Sequence, residues 1–406
     1  MRVAIIGGGA SGMMAACLSA AGGDVVIFEK QKKIGRKVLV TGNGRCNIAN
    51  RNLSADCYHG NNPRFVNNLF ARFGLDETIE FFHTIGIPLV EEKNGRLFPA
   101  SLQASSVVKI FEYELARRGV DVRLHRKVER IEKRGDALTV VTAGREVEQF
   151  DAVVLAAGSC AAPPAGGSRD GYELARSLGH TVREPFPAIL PVNVPLKMLH
   201  RLQGVKWDCG IRVERVGRCG AESEGELLFT AYGISGPAAL DVSRAVNDPS
   251  GGPCRILIDL YPGFTEGELG ELLEGLWGDG LKTLAFSLVG VMKGIMHEVI
   301  PRMAGVEPTR IVRDLTREEK GRLLKTMKGL ELEPGKTRGF NEAVVAAGGV
   351  DVNEVDPATM ASRLVEGLYL TGELLDIDGE SGGYNLQFAW SSGAVAGRSA
   401  VALKSS

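Results

Sequence analysis

The stretch "MRVAIIGGGASGMMAACLSAAGGDVVIFE", residues 1–29, constrains the fold of this chain more than any other. Residues 2–6 are a short apolar run suited to a buried parallel strand. Gly7-x-Gly9-x-x-Gly12 follows at once, then an Ala-rich helix to about Ala21, then a strand over 24–28 that ends in Glu29. Each part has a physical task. Gly7 permits a tight turn, Gly9 lets backbone approach a pyrophosphate, and Gly12 lets helix and strand pack closely. The helix N-terminus offers free N–H groups and the positive end of its dipole to phosphates. Glu29 stands where a carboxylate accepts hydrogen bonds from a ribose diol. A carboxylate there also disfavours NADP, whose 2′-phosphate would meet a like charge.

The chain has 406 residues, which at ~100–200 residues per domain predicts two or three domains. Its 44% hydrophobic and 24% charged residues match an ordinary globular protein with a large core. A net charge of −1 argues against a broadly cationic nucleic-acid binder. Seven cysteines, with no C-x-x-C pair, fit unpaired thiols in a reducing compartment. The apolar N-terminus mimics a signal peptide, but its Gly run falls inside the supposed apolar region. No apolar run approaches the ~18–20 residues of a membrane span. The expectation is a cytoplasmic protein with no membrane partner.

Two later segments choose between dinucleotides. In "FDAVVLAAGSCAAPPAGGSRDGYELARSLGH", Asp151–Ala157 is an apolar strand delivered into a small-residue loop. In "VEGLYLTGELLDIDGESGGYNLQFAWSSGAVAGRSAV", residues 367–371 form a strand, with turns at Gly372-Glu373 and Gly382-Gly383. A helix follows from about Asn385, with small residues at 389, 393, 394 and 397 for close packing. A carboxylate after a terminal strand suits a ribityl polyol. A helix N-terminus at Asn385-Leu386 suits the pyrimidine edge of a flavin, where reduction builds negative charge. A nicotinamide dehydrogenase needs neither, so the expected cofactor is FAD.

These segments, with "GRKVLVTGNGRCN", "LFTAYGISGPA" and "AAGGVDVNEVDPATMASRLVEGLYLTGELLDIDG", resemble the BaiN / aminoacetone-oxidase-like flavoproteins, relatives of the glutathione-reductase and fumarate-reductase superfamily. The resemblance runs essentially end to end. It implies an α/β fold in which a Rossmann-type FAD-binding domain is interrupted by an inserted β-barrel plus helical region. It would place Gly7, Gly9, Ala10, Ser11 and Gly12 on the pyrophosphate and Glu29 on the adenosine ribose. Lys30, Arg36 and Lys37 would lie near the adenosine and phosphates, Glu373 at the ribityl chain, and Asn385-Leu386 at the ring edge. Val128, Ala157, Gly158, Gly372, Asp376 and Gly383 complete the expected cofactor set.

The chain departs from that pattern twice. The mid-chain "ATGG-SYP" of the family is replaced by Ala156-Ala157-Gly158-Ser159 and Cys160-Ala161-Ala162-Pro163, without the aromatic. Ala231 stands where a His is common, so a proton-transfer role for that His cannot apply, and Tyr232 becomes the substitute candidate.

Cys46, in "VTGNGRCNIAN", is the other catalytic candidate. Disulfide reductases of the superfamily carry a C-x4-C pair, but Thr41 and Arg51 occupy the partner positions. A lone catalytic thiol needs an activating cation or base. Packing is therefore the preferred role for Cys46. A phosphate loop fails as well, because no G-x4-G-K-[ST] is present. Gly42, Asn43, Gly44 and Asn47 instead read as a flavin-side loop, with an amide contact from Asn43 or Asn47. His180, after the helix-like "ARSLGH", reads as a cap. No Cys/His spacing implies a metal. The basic 310–338 segment reads as a solvated helix face opened by Thr316 as N-cap.

The domains are expected at 1–188 and 336–406 for FAD, with an insert at 189–335 that is β-rich over 189–262 and helical over 263–328. No second GxGxxG stands mid-chain, so NADH or NADPH would dock only transiently. The expected function is an FAD-dependent oxidoreductase moving hydride between flavin and a small organic substrate, with NAD(P)H as donor. An O2-using amine oxidase is the enzymatic alternative. A flavin-binding RNA- or partner-associated protein with little turnover is the alternative from another class.

Overall fold

The computed structural model describes residues 1–215, 218–278 and 280–402. The chain forms two compact units, Met1–Pro187 with Val344–Ser406, and Ala188–Ala343. The return to the first unit thus comes at 343/344, later than the 335/336 expected from sequence.

In the first unit, β1 (Arg2–Ile6), β2 (Asp24–Glu29), β3 (Asp121–Leu124), β4 (Ala152–Leu155) and β5 (Leu368–Leu370) form one parallel sheet. Its order is β5-β4-β1-β2-β3. Ile5 lies opposite Ile27 on one side and Val154 on the other, and Val154 opposite Tyr369. Residues 3–6 and 152–155 are all buried, as strands covered on both faces must be. The chain leaves β1 for β2 on one side and later fills the other side with β4. That reversal puts a topological switch point beside the carboxyl end of β1.

Two helices pack on this sheet, α1 (Ala10–Ser19) and α2 (Tyr384–Ala402). A Cβ on Gly12 would stand 1.9 Å from the Gly7 carbonyl oxygen, so only glycine lets α1 close on the turn below it. A Cβ on Gly393 would stand 2.3 Å from the Ser11 oxygen, and one on Gly397 2.4 Å from that of Ala15. The two helices therefore meet backbone to backbone, and the Ser19 hydroxyl donates to the Gly397 carbonyl at 3.0 Å. On its other face α2 inserts Trp390, which stacks on Phe111 at 5.7 Å and meets the edge of Phe82 at 5.2 Å. A three-stranded antiparallel sheet (Val128–Arg134, Ala137–Thr142, Val147–Phe150) precedes β4.

The second unit is built on a six-stranded antiparallel sheet. In spatial order its strands are Val192–Asn193, Gly233–Ser235, Arg218–Thr230, Lys206–Arg215, Cys254–Asp259 and Leu330–Leu332. The sheet curls far enough that Gly335, just past the last strand, donates its N–H to Asn193 on the first at 2.7 Å. Helices Glu266–Leu276, Leu284–Leu288, Met296–Met303 and Arg317–Lys328 cover it. Thr316 caps the last of these in a reciprocal pair with Glu319. Two further helices among the described residues, the single turn Lys197–His200 and the longer Pro237–Asn247, lie inside the stretch expected to be strand-like. Pro237 opens the longer one, and Ala238, Ala239 and Val242 bury one face of it. No helix among the described residues is long and apolar enough to cross a membrane.

Candidate functional site

The carboxyl ends of β1, β2 and β4 open into a cleft that encloses about 1210 Å³, open solvent included. All of its lining residues belong to the first unit. Three strand ends contribute first: Ile6 with Gly7–Gly9, Phe28 with Glu29, and Ala156 with Ala157 and Gly158. This is where the reversal of strand order predicts a ligand.

Two helix N-termini reach the same cleft. Gly9 caps α1 without any side-chain hydrogen bond, and the first turn holds no acidic residue. The N–H groups of Ala10 and Ser11 therefore have no partner within the helix, and both residues line the cleft. At α2 the first intrahelical bond is Gln387 N–H to Gly383, which leaves Asn385 and Leu386, also lining, with free N–H groups. Each terminus presents partial positive charge to one cavity.

Two carboxylates face them. Glu29 is buried and held by two backbone donors, Gly8 at 2.8 Å and Gln31 at 2.7 Å. Glu373 accepts from the Ser159 hydroxyl at 2.9 Å and pairs with Lys37. Further along, Lys30 and Lys127 both pair with Asp170, at 2.7 and 2.8 Å. Burial works against the charge of Asp170, but Lys127, Lys30 and Ser168 outweigh it and hold the carboxyl well below the usual range.

The sequence-derived candidates divide by position. Gly7, Gly9, Ala10, Ser11, Glu29, Lys30, Arg36, Lys37, Val128, Ala157, Gly158, Glu373, Asn385 and Leu386 line the cleft. Gly12 lies beneath it, closing α1 on Gly7. Gly372 sits against the Ser11 side chain, and its N–H donates to Ser392 at 2.9 Å. Asp376 is buried and accepts from the Asn61 N–H at 3.2 Å, with Arg183 at 3.4 Å. From the 41–47 loop, Thr41 lines the cleft, whereas Gly42, Asn43, Gly44 and Asn47 are outside its lining. Gly383 is outside it too, its Cα facing the Ala49 carbonyl and the Asn47 amide oxygen.

Cys46 is fully buried, and burial pushes its thiol up to about 12. Its neighbour Arg45 is turned to Glu92 at 2.8 Å and to the Phe98 ring at 4.4 Å. Tyr232 belongs to the second unit, half-buried with the Arg338 guanidinium 3.9 Å from its ring centre. His180 is buried between Glu354 at 3.0 Å and Ser362 at 2.8 Å, away from the cleft lining. Gly8, Gln31, Lys127, Ser159, Ser168 and Asp170 line the cleft without having been singled out in the sequence. Gly8 stood inside the motif; the others become neighbours only through folding.

The donor set fits a flavin dinucleotide. A Cβ on Gly9 would meet no protein atom within 4 Å, so the space over the α1 N-terminus is open for a group that a side chain would displace. The Asn47 amide oxygen is buried without a hydrogen-bond partner beside Gly383, immediately before α2. An unpaired buried acceptor is costly, and a ring N–H would satisfy it.

The model of the HI0933-like protein Rossmann domain matches residues 1–399. A 3-dehydro-bile acid delta(4,6)-reductase from Clostridium scindens is 36% identical over 409 residues, 98% of this chain and 99% of the reductase. A ribosomal RNA dihydrouridine synthase from Escherichia coli is 32% identical over 407 residues, 99% of this chain and 98% of the synthase. A solved 3-ketosteroid-delta4-(5alpha)-dehydrogenase from Rhodococcus jostii RHA1 is similar in fold, with a TM-score of 0.50 and 15% identity over 98% of this chain and 96% of that one.

Proposed function

The chain belongs to the HI0933-like family of FAD-binding Rossmann flavoproteins, and from that premise we propose that it reduces a carbon–carbon double bond conjugated to a carbonyl, with NADH or NADPH as electron donor. The observation that carries this reading is the convergence of two free helix N-termini and two carboxylates on one cleft. The relatives' names support the reaction class. A delta(4,6)-reductase and a dihydrouridine synthase both act on a carbon–carbon double bond. The finer likeness to the BaiN / aminoacetone-oxidase-like group belongs to the same proposal.

When bound, FAD supplies the hydride chemistry. The chain supplies binding and electrostatics. Ala10 and Ser11 offer N–H groups to the pyrophosphate, and Glu29 takes the ribose diol. Glu373, fixed by Ser159 and Lys37, accepts from the ribityl hydroxyls. The N–H groups of Asn385 and Leu386 would hold the pyrimidine edge and would favour the negative charge that reduction builds there. Cys46, neutral and enclosed, would move no proton.

The dihydrouridine synthase relatives favour a second substrate, a uridine in RNA. One experiment separates the readings. The purified chain is saturated with FAD, bleached anaerobically with NADH, NADPH or amines, and reoxidised with a steroid enone or with uridine-containing RNA. Bleaching by a nicotinamide and reoxidation by the enone are expected. Reoxidation by RNA alone replaces the substrate, bleaching by amines alone replaces the reductase with an oxidase, and no flavin uptake ends the proposal.

A further inference from the structure

Lys30, Arg36 and Lys37 line the cleft, yet none points a free cation into it. Lys30 binds Ser168 and Asp170, the latter at 2.7 Å. Arg36 donates to the Pro164 carbonyl at 2.8 Å and to Gln31. Lys37 pairs with Glu373, whose carboxylate also receives the Ser159 hydroxyl at 2.9 Å. All three side chains of the 30–37 segment thus connect with one stretch, residues 159–170, directly or through Glu373. By contrast Lys33, which also lines the cleft, has no ion-pair partner among the described residues.

That stretch is shaped by its own backbone. Ala165 N–H bonds to Ala162 at 2.8 Å, Gly166 to Pro163 at 2.9 Å and Ser168 to Ser159 at 3.0 Å. The backbone-to-backbone hydrogen bonds of 162–168 stay within 159–168. Pro163 and Pro164 fix two φ angles, and a Cβ on Gly167 would stand 1.9 Å from the Ala161 oxygen. The strap is therefore stiff in itself and fastened to the facing 30–37 wall by side chains. Ala165, Gly166, Gly167, Ser168 and Asp170 line the cleft from this side.

We propose that residues 159–170 are a clamp across the cofactor cleft, fastened by Lys30, Arg36 and Lys37, and that Asp170 is the positioning residue that holds it shut and slows cofactor release. This rests on the FAD reading above. Asp170 is the best-bonded fastener, since its two oxygens take Lys30, Lys127 and Ser168. The stretch in which the sequence departs from the family pattern, Ser159 to Pro163, thus acts on cofactor retention. Because the three charged groups are a quarter to a half exposed, added salt weakens the latch.

The test compares FAD release from wild-type holoprotein, Asp170→Asn, Lys30→Met and Glu184→Gln, followed by the fluorescence of freed flavin. Glu184 pairs with neighbouring Arg169 at 2.6 Å and does not line the cleft, so it is the control. Asp170→Asn and Lys30→Met are each expected to speed release about tenfold, the loss of one charge-assisted hydrogen bond. Salt should accelerate the wild type more than Asp170→Asn, and Asp170→Glu should restore retention. Hydrogen exchange of 162–168 in the apoprotein should quicken in both latch variants. Equal release from all four proteins, or unchanged exchange, overturns the clamp. If the wild type takes up no FAD, the functional reading falls, and the exchange result alone decides the clamp.

Discussion

Two glycine-rich stretches of the first unit, Gly7–Gly12 and Thr41–Asn47, look alike as sequence and do opposite things. The first is strung between a buried parallel strand and a helix, so its shape is imposed by the elements on either side. Its backbone faces outward to the cleft. The second lies between no such pair. Its left-handed residues, Gly42 at φ 55°, Asn43 at 55°, Gly44 at 81° and Cys46 at 61°, coil it back on the protein, where the Trp390 indole N–H holds the Ile48 carbonyl at 3.1 Å. Gly42 there serves close approach of protein to protein. A glycine-rich loop is thus read by what flanks it, not by its composition.

The largest effect expected from this contrast is at Gly12. Gly12→Val would drive a side chain into the Gly7 carbonyl, and overpacking of that kind costs about 3 kcal/mol. Thermal unfolding should show the loss, and flavin content per chain should fall with it. Gly9→Val tests the other half of the motif. Its side chain would enter open space, so the melting temperature should stay near wild type while FAD affinity falls on the order of 100-fold. Equal destabilisation by the two substitutions would break the division between a glycine that serves packing and one that serves the ligand.

The same contrast explains what could be read in advance. β1, α1, β2 and α2 were legible because apolar runs and glycines a few residues apart specify them locally. The helix Pro237–Asn247 was missed because apolar strand-like residues surround it; its signal was Gly236-Pro237, a proline at a first helical turn. Lys127–Asp170 and Lys37–Glu373 could not be read at all. Nothing local marks Asp170 as the shared acceptor of two lysines, or Ser159 as a donor to Glu373. Such partners are chosen by the sheet order, which the sequence shows only after the fold is known.

A smaller effect is expected at Gly42. A Cβ there would come within 2.9 Å of the Asn47 nitrogen and 3.2 Å of Phe98, at a φ that costs an L-residue roughly 1–2 kcal/mol. Gly42→Ala should lower the melting temperature while leaving FAD affinity within about threefold, since 0.6 kcal/mol separates the two at most. A drop in affinity as large as that of Gly9→Val would place Gly42 itself against the cofactor.

The smallest effect belongs to Cys46, and it bears on chemistry. The thiol is enclosed, and burial pushes it up to about 12. At neutral pH it is a neutral S–H, and a thiolate is what nucleophilic chemistry requires. Cys46→Ala removes one small buried side chain, for about 1 kcal/mol, and turnover per bound flavin should stay within twofold. Alkylation offers an independent reading. Iodoacetamide at pH 8 should leave Cys46 unmodified in the folded holoprotein and label it once the chain is denatured. Rapid labelling of the native protein with parallel loss of flavin-normalised turnover would return Cys46 to the catalytic site. A protected thiol in a fully active enzyme fixes it as the residue about which the second glycine loop is folded.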